Sequence, residues 1–315
     1  MPEVITIGET MVCFTPGANA PLRYVQDYKA RIVGAESNLA IGIEKLGHTA
    51  AWISKLGKDE FGQYVCNMVR AEGVNTKGVI FDESHATGLM FKETSQGETK
   101  VYYYRENSAA STMTPKDIDV SYFEKGKILH LTGITPVLSE SCMETVLFAM
   151  ELANKNNMKI SFDPNIRKKL WKSRDYTKPI LDLCLKSQIV LLGLDEAKVL
   201  LHTENKDEII NYFFEKGKAE HIAIKDGARG AFVADKKNKI FIPPYLCKCI
   251  DPIGAGDAFN AAFLVGILEG KDIEACGKMG GIAGALATET LGDIEGYPSS
   301  EKIKSISNNI EETFR

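Results

Sequence analysis

Short apolar runs alternate with segments of helical period along most of the chain. VITIGE (4–9), AAWISKLG (50–57), KILHLTG (127–133), KISFDPN (159–165), QIVLLG (188–193) and HIAIKDG (221–227) are β-rich and bounded by Gly, Pro or Asn. Several are continuous rather than alternating, the pattern of strands buried on both faces. Between them, 36–47, 60–73, 139–156, 175–187, 195–202 and 206–217 read as helices. This alternation predicts an α/β fold, a mostly parallel central sheet with helices on both faces, in a single domain over 1–315.

Two stretches break the pattern. Residues 12–33 follow the first strand without a helical period. Residues 74–112 contain TGLMFKETSQGETKVYYYREN, two extended runs around a Ser-Gln-Gly turn, which reads as a β-hairpin. Together they predict a small β-sheet inserted in the α/β body as a lid over a site, with a decorative hairpin as the alternative. The C-terminal SSEKIKSISNNIEETFR reads as an amphipathic closing helix with a Ser cap.

Composition narrows the function without naming it. With 315 residues, 44% apolar and 25% charged, the chain can bury a large core. A net charge of −4 gives no general pull toward nucleic acid or an anionic membrane. The opening MPEVITIGET lacks the basic-then-apolar pattern of a secretory signal. The seven scattered cysteines suit reduced thiols, so a cytoplasmic protein is expected. Cys247 and Cys249 have C-x-C spacing, but no further His or Cys completes a zinc set.

Familiar nucleotide motifs are missing. GILEGK (266–271) is too short for a Walker A loop and is followed by Asp272 instead of Ser or Thr. No G-x-G-x-x-G follows a strand, and H-E-x-x-H and G-x-S-x-G are absent.

The richest stretch is DPIGAGDAF (251–259). Ala258, Phe259, Ala262, Phe263 and Ile267 share one helical face, so a helix is expected to begin near Gly254 to Asp257. Its first amides lack intrahelical partners, and Gly254, Ala255 and Gly256 leave that backbone nearly bare. This is an anion hole. Asp257 in the first turn is expected to stay ionised, orienting a hydroxyl and accepting its proton late in phosphoryl transfer. A Gly-rich turn with an Asp helix cap is the reading left open. Asp251 is assigned a loop-organising or metal-side role.

The stretch matches the D-x-x-G-A-G-D-x-F signature in full, and VGAESNLAIGIEKLG (33–47) matches an N-terminal signature at Gly34, Asn38, Ala40, Leu46 and Gly47. On these residues the chain resembles the ribokinase-like (PfkB) carbohydrate kinases over its whole length. The resemblance implies the ribokinase-like fold, with ATP and Mg²⁺ as cofactors and often a monovalent cation near the anion hole. It implies that Asp257 is the catalytic base and that Gly254, Ala255 and Gly256 complete the anion hole. Lys225, Gly227 and Gly230 of KDGARG would lie along the nucleotide, with Asn165 of DPN near its phosphates. The N-x-x-E motif linked to metal appears here as GLDE, so Gly193 replaces Asn while Glu196 remains. A homo-oligomer is expected, as in many relatives.

The acceptor is read from the lid. In KVYYYRE, alternation puts Tyr103 and Arg105 on one face and Tyr102 and Tyr104 on the other. A phenol beside a guanidinium fork suits a carboxylate, and Arg167 is a second candidate for the same anion. The alternative is that both arginines are solvated or serve ATP. VYYYRENSAAS and GAESNLA resemble the 2-keto-3-deoxygluconate kinases. That resemblance implies that Gly34, Tyr103, Arg105 and Arg167 contact the sugar acid and that Asp293 lies close to its reacting end. The expected reaction is phosphoryl transfer from ATP to the primary hydroxyl of 2-keto-3-deoxygluconate. Kinases of neutral sugars such as fructose or ribose, and a silent sensor of the same fold, stay open.

Overall fold

A computed structural model describes residues 1–95, 98–171 and 173–307. Its main sheet has nine strands, in spatial order Lys239–Ile242, Ala231–Asp235, His221–Lys225, Ile189–Gly193, Lys159–Asp163, Ile128–Thr132, Val4–Ile7, Ala50–Gly57 and Val79–Asp82. Seven of these run parallel. The hairpin formed by Ala231–Asp235 and Lys239–Ile242 adds two antiparallel strands at one edge.

The continuous apolar runs are explained by burial on both faces. Val4, Ile128, Ile189 and Leu191 enter one core, and their neighbours Ile5, Leu129, Val190 and Leu192 enter the other. Helix Ala35–Lys45 and the adjacent pair Ala255–Leu268 and Ile273–Ala287 cover the first side. Glu140–Lys155, Thr177–Leu185 and Lys206–Lys216 cover the second. Chain order reverses around Val4–Ile7, which pairs with both Ala50–Gly57 and Ile128–Thr132. In open α/β sheets, ligands bind beyond the carboxyl ends of the strands at such a reversal.

A second sheet of four strands stands apart, in the order Tyr28–Val33, Met11–Pro16, Leu89–Ser95 and Glu98–Tyr104. Met11, Cys13, Val33 and Met90 cluster on one of its faces. Phe14, Tyr28, Phe91 and Tyr104 make aromatic contacts on the other. The inserted sheet is therefore narrower than 74–112. Val79–Asp82 leaves that segment to form the edge of the main sheet, parallel to Ser54–Gly57. Ile80 and Phe81 are both half-exposed there, so this edge strand has no inward face for alternation to reveal. Gln96 and Gly97 of the expected turn lie outside the described residues, as does 308–315; the closing helix is described over Ser300–Ser307.

Among the described residues no helix is long and apolar enough to cross a membrane. All seven cysteines are free.

Candidate active site

Helix Ala255–Leu268 starts where the sequence places it, and Gly254 sets the start. Gly254 has φ +79, and a Cβ there would lie 2.0 Å from the backbone oxygen of Asp293. Only glycine meets both demands. The Gly254 carbonyl also accepts from the Tyr297 hydroxyl at 3.0 Å. The helix N-terminus is thus locked against the segment carrying Asp293.

Asp257 and Asp293 converge on one amide. Asn38 Nδ2 donates to Asp257 Oδ2 at 2.9 Å and to Asp293 Oδ2 at 3.2 Å. Asn38 comes from helix Ala35–Lys45, whose cap Gly34 allows no side chain: a Cβ there would lie 2.6 Å from the Glu9 carbonyl. The two signature segments and the LGD loop meet at this point.

The expectation that Asp257 stays ionised is corrected. Loss of water deep in the cleft pushes its carboxyl up to about 7, and the negative charges of Asp163 and Asp293 add to that. The Asn38 hydrogen bond and the Lys225 charge act the other way. The helix terminus does not outweigh burial among other acids. Asp293 is pushed up to about 6, first by burial and against the pull of Lys92 and Asn38. A carboxyl poised near neutral pH is a better general base than one near 4.

Beside the N-terminus of helix Ala255–Leu268 lies a buried polar cluster. Lys225 Nζ donates to Asp163 Oδ2 at 2.8 Å and Asn260 Oδ1 at 3.1 Å, and Asn260 Nδ2 donates to Asp163 Oδ2 at 2.5 Å. Nζ is also the nearest group to a Cβ built on Gly256, at 3.8 Å. Lys225 therefore reaches the first turn of helix Ala255–Leu268, adding positive charge beside its free amides. Its partners hold it charged: Asp163 and Glu196 raise its pKa against the effect of burial. Gly227 and Gly230, at φ +55 and +101, form the tight turn that follows.

Asn165 is buried, has φ 37, and its Oδ1 has no hydrogen-bond partner. Glu196 accepts backbone N–H groups from Gly193 and Ile166, both at 2.7 Å. It therefore fixes the turn after Asn165, and burial beside Asp163 raises its pKa. Asp251 accepts from Ile253 N at 3.2 Å, a local turn of its loop.

Beside the small sheet, the Arg105 guanidinium lies 5.9 Å from the centre of the Tyr103 ring. Arg105 pairs with Glu9, and Glu9 also accepts from Ser108 at 2.5 Å. Arg105 Nε is buried without a hydrogen-bond partner. Tyr103 is half-exposed, and Arg167 is exposed on the segment after Asn165. Lys92, unremarked in the sequence, is buried on strand Leu89–Ser95 of the small sheet, on the side of Met90. Its signal was a cation at an inward position of an alternating strand. Asp163, Asn260 and Glu9 were missed because each acts through a partner distant in sequence.

Residues 1–300 match the pattern of the pfkB family carbohydrate kinases. The chain is 33% identical over 307 residues to a 2-dehydro-3-deoxygluconokinase of Bacillus subtilis, covering 96% of this chain and 94% of the relative. It is 29% identical to a 5-dehydro-2-deoxygluconokinase of Listeria innocua, covering 98% and 97%. Among solved structures, an uncharacterized sugar kinase of Pyrococcus horikoshii in complex with ATP superposes with a TM-score of 0.83 at 28% identity, covering 95% and 96%.

Proposed function

The chain belongs to the PfkB family of carbohydrate kinases and is an ATP-dependent sugar kinase, and from that premise we propose that it phosphorylates the 6-hydroxyl of 2-keto-3-deoxygluconate (2-dehydro-3-deoxygluconate), giving the 6-phosphate. The observation that carries the acceptor class is Arg105. It is buried beside Tyr103 in the lid, with Nε unpartnered although Glu9 holds another part of the guanidinium. A neutral hexose has no use for such a group, whereas a sugar carboxylate accepts from it. Both relatives are named for dehydro-deoxygluconate substrates, which supports the same class.

The reaction follows from the placement of the groups. The amides of Gly254 to Asp257, with Lys225 below them, hold the transferred phosphoryl group as its charge spreads. Asp257, ionised and aimed by Asn38, takes the proton of the acceptor hydroxyl. That oxygen bonds to the γ-phosphorus while the bond to the leaving ADP oxygen breaks. Asp293 shares the Asn38 amide and fixes the acceptor near its reacting end.

Mg²⁺ fits the residues present. Asn165 Oδ1 is a buried oxygen with no partner, Glu196 braces the turn behind it, and no cluster of three acidic, His or Cys side chains occurs among the described residues. Such a set suits an ion carried largely by phosphate oxygens and water, which would neutralise charge on the β- and γ-phosphates. A monovalent cation near the anion hole belongs to the same reading.

An assay of ATP-dependent ADP release over 2-keto-3-deoxygluconate, its galactonate epimer, 5-dehydro-2-deoxygluconate, fructose and ribose tests the proposal. Preference for the first by kcat/KM is expected, and Arg105→Ala should cost roughly 2–5 kcal/mol in its use with ATP affinity kept. Preference for fructose or ribose, or equal loss for both ligands, would overturn it.

A further inference from the structure

Lys92 lies in neither signature segment and plays no part in the phosphoryl transfer itself. Only 8% of its side chain is exposed. A buried ammonium needs hydrogen bonds or close counter-charges to offset its lost water. Lys92 Nζ instead stands 3.9 Å from Asp251 Oδ2 and 3.9 Å from Asp293 Oδ1. Neither separation is a hydrogen bond. Asp293 Oδ1 is itself buried with no hydrogen-bond partner.

A donor and an acceptor 3.9 Å apart can both be reached by one oxygen set to the side of the line between them, about 2.8 Å from each. A hydroxyl satisfies both sides, accepting from the ammonium and donating to the carboxylate. A carboxylate in that gap would face Asp293, and an ether oxygen has no proton to donate. The other oxygen of Asp293 shares the Asn38 amide with Asp257. The gap therefore lies beside Asp257, which on the proposed function is where the reacting end of the acceptor sits.

We infer that Lys92 and Asp293 together read a hydroxyl of the acceptor next to the one that is phosphorylated, so that Lys92 is a specificity-determining residue supplied by the lid. The inference rests on the acceptor being a sugar, not on which sugar it is. Because Lys92 comes from the small sheet and Asp293 from the body, the hydroxyl is read by the two parts together. A site built to hydrogen-bond a substrate hydroxyl discriminates strongly against an analogue without it, since its own polar groups are then left unpaired.

The test is a cycle between enzyme and acceptor. Lys92→Met keeps the aliphatic stem and removes the ammonium; Lys92→Gln keeps a donor without the charge. kcat/KM is measured for the acceptor and for its analogues that each lack one non-reacting hydroxyl. Lys92→Met is expected to lower kcat/KM for the parent acceptor tenfold or more with the KM for ATP within twofold. For one deoxy analogue that penalty disappears, because the oxygen is already gone. Lys92→Gln recovers part of the loss. An equal penalty on every analogue, or none on the parent, overturns the inference. Thermal unfolding checks that Lys92→Met folds; if it does not, Lys92→Gln carries the cycle. The cycle is run on whichever acceptor the wild type phosphorylates. A neutral acceptor would therefore defeat the sugar-acid proposal and still leave the Lys92 cycle decisive.

Discussion

Asn38 Nδ2 donates to Asp257 Oδ2 at 2.9 Å, joining residues 219 apart in sequence. This bond favours the ionised form of Asp257, against burial, which pushes its carboxyl up to about 7. The base must be ionised to take a proton, so kcat/KM is expected to fall as pH drops through about 7. Asn38→Leu removes the donor, and the acidic limb should move to higher pH. A limb that stays in place or moves down in that variant would show that Asn38 does not tune the base.

The same shift carries a stability cost. Asp257 holds its proton more tightly when folded, up to about 7 against an ordinary value of 3.8. The stability that its protonated form contributes is full below about pH 4 and lost as pH rises through about 7. Asp257→Asn mimics the neutral form at every pH. It should melt above the wild type at pH 8 and level with it near pH 4, while turnover at pH 8 falls by about 10² or more. A lower melting temperature than wild type at pH 8, or near-normal turnover, contradicts a buried base of raised pKa.

Much of this site was legible in the sequence because its parts are local. The helix start after Gly254 needs only a turn glycine, small residues and an apolar helical face, and DPIGAGDAF opens all three. The parallel sheet was legible for a similar reason, since burial on both faces writes continuous apolar runs. What the sequence hid depends on partners far along the chain. The state of Asp257 is set first by burial and then by Asn38, Asp163, Asp293 and Lys225, none within twenty residues of it. Arg105 reads as a substrate ligand on its strand, yet the fold also gives it Glu9. Lys92 carries no motif at all; only its inward place on the small sheet and two acids from elsewhere give it a meaning.

The two flanking glycines of the anion hole should separate structure from function. At Gly254, φ is +79 and a Cβ would lie 2.0 Å from the Asp293 carbonyl oxygen. Gly254→Ala must strain the backbone, at roughly 1–2 kcal/mol for the left-handed conformation alone, and displace the loop of Asp293 as well. At Gly256 the nearest atom to a Cβ is Lys225 Nζ at 3.8 Å, so the fold has room. Gly256→Ala should keep the melting temperature close to wild type and raise the KM for ATP, because the methyl group covers the approach to the amides. Similar unfolding behaviour in the two variants would mean that the contact of Gly254 with Asp293 does not constrain the fold.

Lys225 and Asp163 make a buried ion pair at 2.8 Å, and Asn260 completes its hydrogen bonds. Burial raises the cost of either charge alone, and the partner's charge holds each ionised: Asp163 below its ordinary value, Lys225 above. Lys225→Met strands the carboxylate in the core and removes the positive charge beneath the anion hole. Breaking one side of such a pair costs about 3–5 kcal/mol, which urea unfolding at neutral pH measures directly. Replacing both partners, as Asp163→Asn with Lys225→Met, removes both charges of the pair and should recover a large part of that loss. Catalysis should not recover with it, since the double variant still lacks the cation near Gly256. Recovery of turnover together with stability would show that Lys225 serves only to neutralise Asp163. Stability restored with turnover still depressed would assign the ammonium a direct part in holding the phosphoryl group.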